Sequence, residues 1–244
     1  MALKTVQLQV YVYEGTSGSY SSTDLKYTLQ NSLIGTDTNV VFEIAELVRD
    51  YLTLTFDNDY ISKCVWVTTI ATLLDENNNV FTYGSPITET YIALEGYGFF
   101  EDSANPQLST DALITANTIY LPEGTAGKLP IFAEGVGKYI IDSTTTQITD
   151  SGNTNQKIQY ITVPADSSTI QIFGTDDSTL KKTINVINVC EPKFTPYKVT
   201  FTNKYGAFQD LWFFKKSTES FAVTDETFKR NTISNSTATY DKYA

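Results

Sequence analysis

Strand-length runs set off by turn residues recur through the second half of this chain at a spacing close to ten residues, and that rhythm limits it to a largely β fold. The runs are "LPIFAEG", "KYIID", "KIQYITVPAD", "STIQIFGTD", "LKKTINVINVCEP", "YKVTFTNKYG" and "DLWFFKKS", separated by Gly, Asn, Asp, Pro and Ser. The first half opens in the same manner. Val6, Leu8, Val10 and Val12 alternate with Thr5, Gln7, Gln9 and Tyr11, the period of a strand with one face buried. Aromatics make up 13% of the 244 residues, with 16 Tyr and 14 Phe, and such residues pack well on a pleated surface.

One segment breaks the pattern. In "TNVVFEIAELVRDYLTLTF", Val41, Ile44, Ala45, Val48, Tyr51 and Leu52 recur at helical spacing, predicting one short helix over residues 40–52. Asn39 is placed to cap it, Glu43 and Glu46 suit its N-terminal end, and Arg49 suits its C-terminal end. "SKCVWVTTIATLL" is then read as a strand buried on both faces, with a turn at Asp75–Asn79. The expected fold is mainly β: antiparallel β-sandwich-like modules with this single helix. Residues 1–105 form an N-terminal β module that includes the helix, 106–216 a second sandwich-like module, and 217–244 a polar arm that orders against another chain.

Composition excludes several function classes. A net charge of −11 and a pI near 4.4 leave no basic face for phosphate-directed nucleic-acid binding or for an anionic membrane surface. The chain has no histidine, which removes the commonest general base and metal ligand. Cys64 and Cys190 sit far apart in apolar runs and are expected to be buried thiols rather than a disulfide. The N-terminus alternates instead of running apolar, and no stretch reaches the length of a membrane span. Synthesis in a cytoplasm without ordinary export is the expectation.

Motifs for chemistry are weak. "EGTAGKL" and "EGVGKYI" place Leu129 and Tyr139 where a phosphate loop requires Ser or Thr, so both are read as turns. Asp57, Asp59 and the Asp75 loop alternate oxygen ligands as a calcium loop begins. The sixth and twelfth positions counted from Asp75 are Val80 and Pro86, which breaks that pattern and leaves only an irregular ion site open. No spacing selects a catalytic carboxylate pair, and no Ser-x-x-Lys motif is present. No catalytic residue, cofactor site or metal site is assigned, and the chain is read as non-enzymatic.

The distinctive feature is a shared phrase, Tyr-Gly-x-Phe-x-Asp, at Tyr97–Asp102 and again at Tyr205–Asp210. Each copy follows an alternating strand, so each reads as a tight glycine turn that returns an aromatic ring to the core. Extending the comparison outward fails, and two similar turns explain the phrase better than a duplication does. Beside the turns, Tyr97, Phe99 and Phe100, then Trp212, Phe213 and Phe214, form dense aromatic runs. Strand side chains alternate faces, so such runs place rings on both sides of a sheet. Either both faces are covered within the chain or a neighbour covers one, which makes Tyr97, Phe99, Phe100, Tyr205, Phe208, Trp212, Phe213 and Phe214 the candidate interface residues.

At "VFEIAELVRDYL", "EGYGFFEDSANP" and "YKVTFTNKYGAFQDLWFFKKS" the chain resembles structural virion proteins of tailed bacteriophages, in the style of the crAss-like phages of Bacteroidetes-type hosts. That resemblance implies a component of the neck or tail, a collar, or a fibre attachment. Its partners would be copies of itself in a ring and other virion proteins, and its location the virion. The alternatives carried forward are a receptor- or carbohydrate-binding module of a tail or head fibre, and a virion-associated polysaccharide-cleaving enzyme.

Overall fold

The computed structural model describes residues 3–35, 39–56, 59–62, 64–81, 84, 86–96, 110–149, 154–190, 193–216, 218, 220, 222–225, 228–232 and 239–243, the last two segments by backbone pairing alone. The fold is mainly β, 49% strand and 6% helix, with antiparallel sheets and a sandwich-like arrangement. Met1–Phe214 forms one compact unit and Lys215–Ala244 a second. The expected module boundary at 105/106 falls outside the described residues.

In the first unit, β1 (Leu3–Tyr13), β2 (Leu25–Ser32), β3 (Val65–Asp75) and β4 (Ile87–Ala93) make an antiparallel sheet in the order β2-β1-β3-β4. The alternation in β1 works as expected from Leu8 onward, where Leu8, Val10 and Val12 are buried together with Val65 and Val67, but at its start Thr5 is buried and Val6 only half-buried. Helix α1 (Ala45–Arg49) covers this cluster with Val48, and Phe42, Ile44, Tyr51 and Leu52 flank it.

The helix is shorter than the spacing predicts. Asn39 is not its cap: the helix starts after Ile44, and the Glu43 carboxylate accepts the Ala45 amide at 2.9 Å. Val40, Val41 and Phe42 explain the late start, since β-branched and aromatic residues lose side-chain freedom in a helix. Val41, read as part of the buried stripe, is 67% exposed. β3 also differs in part from expectation, being buried over Val65–Thr69 but only half-buried at Ile70–Leu73. Its closing turn forms as read, and Asp75 makes it: Oδ1 accepts the Asn77 and Asn79 amides, both at 2.8 Å, and Asn78 takes φ +62°. That carboxylate serves the turn. Among the described residues no cluster of three or more acidic or thiol ligands could hold a metal ion.

The remaining strands build the larger core. β5 (Thr118–Pro122), β7 (Lys138–Ile141), β8 (Thr144–Gln147), β10 (Thr169–Phe173) and β11 (Leu180–Val189) form a five-stranded sheet in the order β5-β11-β10-β7-β8, where β5 runs parallel to β11. β6 (Gly127–Phe132) and β9 (Ile158–Val163) form a separate antiparallel pair. Ile170, Ile172 and Ile184 from the first sheet pack with Leu129, Ile131, Ile161 and Val163 from the second in one apolar cluster. A third cluster ties the two halves of the unit together, joining Cys64, Ile92 and Leu94 to Leu113, Phe132, Ile158 and Tyr205. Cys64 is buried and Cys190 exposed, so burial was the wrong expectation for Cys190; no disulfide joins them.

Among the described residues of the second unit, β14 (Phe228–Thr232) and β15 (Thr239–Tyr243) form a hairpin. Its polar composition concealed these strands in the sequence. Among the described residues no helix is long and apolar enough to cross a membrane.

Candidate interaction surface

The second Tyr-Gly-x-Phe-x-Asp copy forms the turn and return strand of a hairpin made by β12 (Tyr197–Thr202) and β13 (Phe208–Phe213). Asn203 organises the turn. It is buried, its Oδ1 accepts the Tyr205 amide at 3.0 Å and the Ala207 amide at 3.3 Å, and its Nδ2 donates to the Leu113 carbonyl at 2.7 Å. Gly206 has φ +74°, a conformation that glycine alone adopts without cost.

One face of the hairpin looks into the protein. Trp212 packs against the large core. The side chain of Asp210, only 8% exposed, accepts from the Tyr60 phenol at 2.6 Å and from the Thr200 hydroxyl at 2.6 Å. Asp210 thus binds two side-chain hydroxyls. Lys198 Nζ donates to the same phenol oxygen at 2.9 Å and stacks over the Tyr60 ring. Burial, and then the adjacent Asp210 carboxylate, push the Tyr60 phenol above its ordinary value. The hydrogen bond to Tyr60 raises Lys198. Together the three side chains pin the hairpin to the loop carrying Tyr60. Phe56, Tyr60, Tyr160 and Phe208 continue this anchor as a chain of ring contacts with centroids 5.1–5.5 Å apart.

The opposite face is apolar and, among the described residues, exposed. Strand register sets Tyr197 opposite Phe213 and Val199 opposite Leu211, with Phe201 next along the same face. Period-two alternation puts these five side chains on one side. Each is 40–54% exposed. Among the described residues neither strand pairs with any strand but the other.

The candidate residues read from sequence divide clearly. Tyr97, Phe99 and Phe100 lie outside the described residues. Tyr205 (2% exposed) and Phe208 (5%) are buried in the monomer. Trp212 and Phe214 are half-buried, and Phe213 stands on the uncovered face. Sequence reasoning passed over Tyr197, Val199, Phe201 and Leu211, although the alternation in "YKVTFT" was the signal for the first three. Gly96 forms an antiparallel bridge with Tyr205 of the second copy.

Compared with known proteins, the chain matches no family model, no curated protein and no solved structure.

Proposed function

We propose that this chain is a non-enzymatic structural component of a tailed-phage particle, assembling in repeated copies through the outer face of the β12–β13 hairpin and contacting other virion proteins. The observation that carries this reading is the row of five large apolar side chains, Tyr197, Val199, Phe201, Leu211 and Phe213, on a strand pair whose other face is fixed to the core. A contiguous apolar patch of this kind on a soluble protein marks a contact site. Aliphatic residues lie between the rings, which suits packing against another protein surface better than stacking on sugars.

Magnitudes describe the kind of contact. Burying a large apolar side chain fully contributes about 1.5–3 kcal/mol, so five that are already half-buried supply about 4–7 kcal/mol. Association costs about 4–15 kcal/mol in lost freedom. The hairpin face alone therefore gives a weak, reversible contact that repeated copies in a closed ring reinforce. The charge distribution suits such copies: the last 30 residues carry five basic and four acidic side chains, against twelve and 24 in the remainder. An arm of near-neutral charge meets an acidic neighbour without the repulsion of body against body.

The test is amide hydrogen exchange across Tyr197–Thr202 and Phe208–Phe213 at low and high protein concentration. Protection that grows with concentration in these strands, and not in β8, supports the reading. Protection independent of concentration throughout the chain contradicts it.

A further inference from the structure

A second site lies where the loop carrying Tyr60 meets β6 and β9. A cleft of about 900 Å³ opens there, lined by Glu14, Asp59, Tyr60, Lys128, Gln159 and Tyr160 among others. Its volume lies within the range of ordinary ligand sites. We propose that this cleft binds a neutral oligosaccharide. The inference stands without the assembly reading, because it uses different residues from the hairpin face.

The chemistry of the walls selects the ligand. The Tyr60 and Tyr160 rings lie 5.5 Å apart, and both are held in place through their hydroxyls. Tyr60 is tied to Asp210 and Lys198, while Tyr160 Oη contacts Ser62 Oγ at 2.6 Å and accepts the Phe208 amide at 2.8 Å. Rings fixed before binding lose little freedom on binding, which is the advantage of preorganisation. The faces of aromatic rings are electron-rich and attract the weakly positive C–H faces of a pyranose. Around them, Glu14 and Asp59 are exposed carboxylates that only accept hydrogen bonds. Lys128 donates to Thr162 Oγ1 at 2.8 Å through one of its three N–H groups, and Gln159 contributes an amide. A ligand dense in hydroxyls donates to the carboxylates and accepts from the ammonium at once.

Other ligand classes fit less well. Among the described lining residues two carboxylates stand against one ammonium, which in a chain of net charge −11 disfavours phosphates, nucleotides and acidic glycans. An apolar peptide segment would leave the charged and amide groups of the wall without partners, which is costly when they are desolvated.

The experiment is saturation-transfer NMR on the full chain with maltotriose, cellotriose and mannotriose, each at millimolar concentration. Saturation is expected on the ring protons of at least one of them. In a Glu14→Gln/Asp59→Asn double variant, whose altered side chains are exposed and whose fold is checked by circular dichroism, binding is expected to be about tenfold weaker, as loss of hydrogen bonds to charged acceptors predicts. No transfer to any of the three sugars overturns the proposal, as does equal transfer in the double variant. Transfer to a Phe- and Leu-containing peptide but to no sugar reassigns the cleft to protein contact and also overturns it.

Discussion

Gly206 lies directly against the backbone of Glu95, so that a β-carbon at Gly206 would stand 2.7 Å from the Glu95 carbonyl carbon and 2.8 Å from its nitrogen. These two residues are 111 positions apart in the sequence, and their approach seats the β12–β13 turn on the end of the β4 segment. Glycine is required twice over here, by its φ of +74° and by the lack of room. Gly206→Ala is expected to destabilise the fold by about 2–5 kcal/mol, combining the left-handed backbone cost with overpacking. A urea titration reads the effect as a lower midpoint at unchanged slope. A midpoint equal to wild type would mean that the two segments are not held this closely.

The Tyr60–Asp210–Lys198 trio sets an alkaline limit on stability. Tyr60 is raised above the ordinary tyrosine value of 10.0 by burial and by Asp210, so the folded chain holds the phenolic proton more tightly than the unfolded chain. The resulting stability is fully present below pH 10 and is lost as pH rises through the higher folded value. Lys198, raised chiefly through its hydrogen bond to Tyr60, acts with the same sign. Thermal melts across the alkaline range should show Tm falling above pH 10, with a shallower fall in Tyr60→Phe. Parallel curves for the two proteins would remove Tyr60 from the explanation.

The two cysteines should differ sharply in reactivity. Cys64 is fully buried and its thiol is pushed up to about 11, chiefly by burial, whereas Cys190 is exposed at the end of β11. Because the thiolate is the reactive form, a chromogenic thiol reagent at neutral pH should modify Cys190 rapidly and Cys64 only after denaturant is added. Rapid modification of both in the native protein would contradict the burial of Cys64.

Much of this architecture was legible in the sequence, for identifiable reasons. The alternation in β1 and the punctuated runs of the second half are local signals, and local alternation is what a half-buried strand requires. The helix was overextended because Val41 fits helical spacing as well as an extended approach to the helix does; only tertiary packing distinguishes them. The uncovered face was half-legible. Tyr197, Val199 and Phe201 alternate visibly, but which side of β12 faces solvent depends on Asp210 reaching Tyr60 from 150 positions away. The same holds for Gly206 and Glu95. Contacts that distant leave no mark in either local pattern, and the consecutive rings at Trp212–Phe214 drew attention from quieter aliphatic neighbours that complete the surface.

The central claim is that the outer face of the β12–β13 hairpin holds copies of this chain together. The most direct measurement is the solution mass by light scattering over a wide concentration range, for wild type and for Leu211→Glu. Leu211 is 48% exposed in the middle of the face, so the substitution leaves the folded core intact while setting a charge in the contact. The account predicts a wild-type mass that climbs with concentration toward a discrete oligomer and a variant that stays monomeric throughout. A wild type that remains monomeric at every concentration, or a variant that associates as the wild type does, would contradict it.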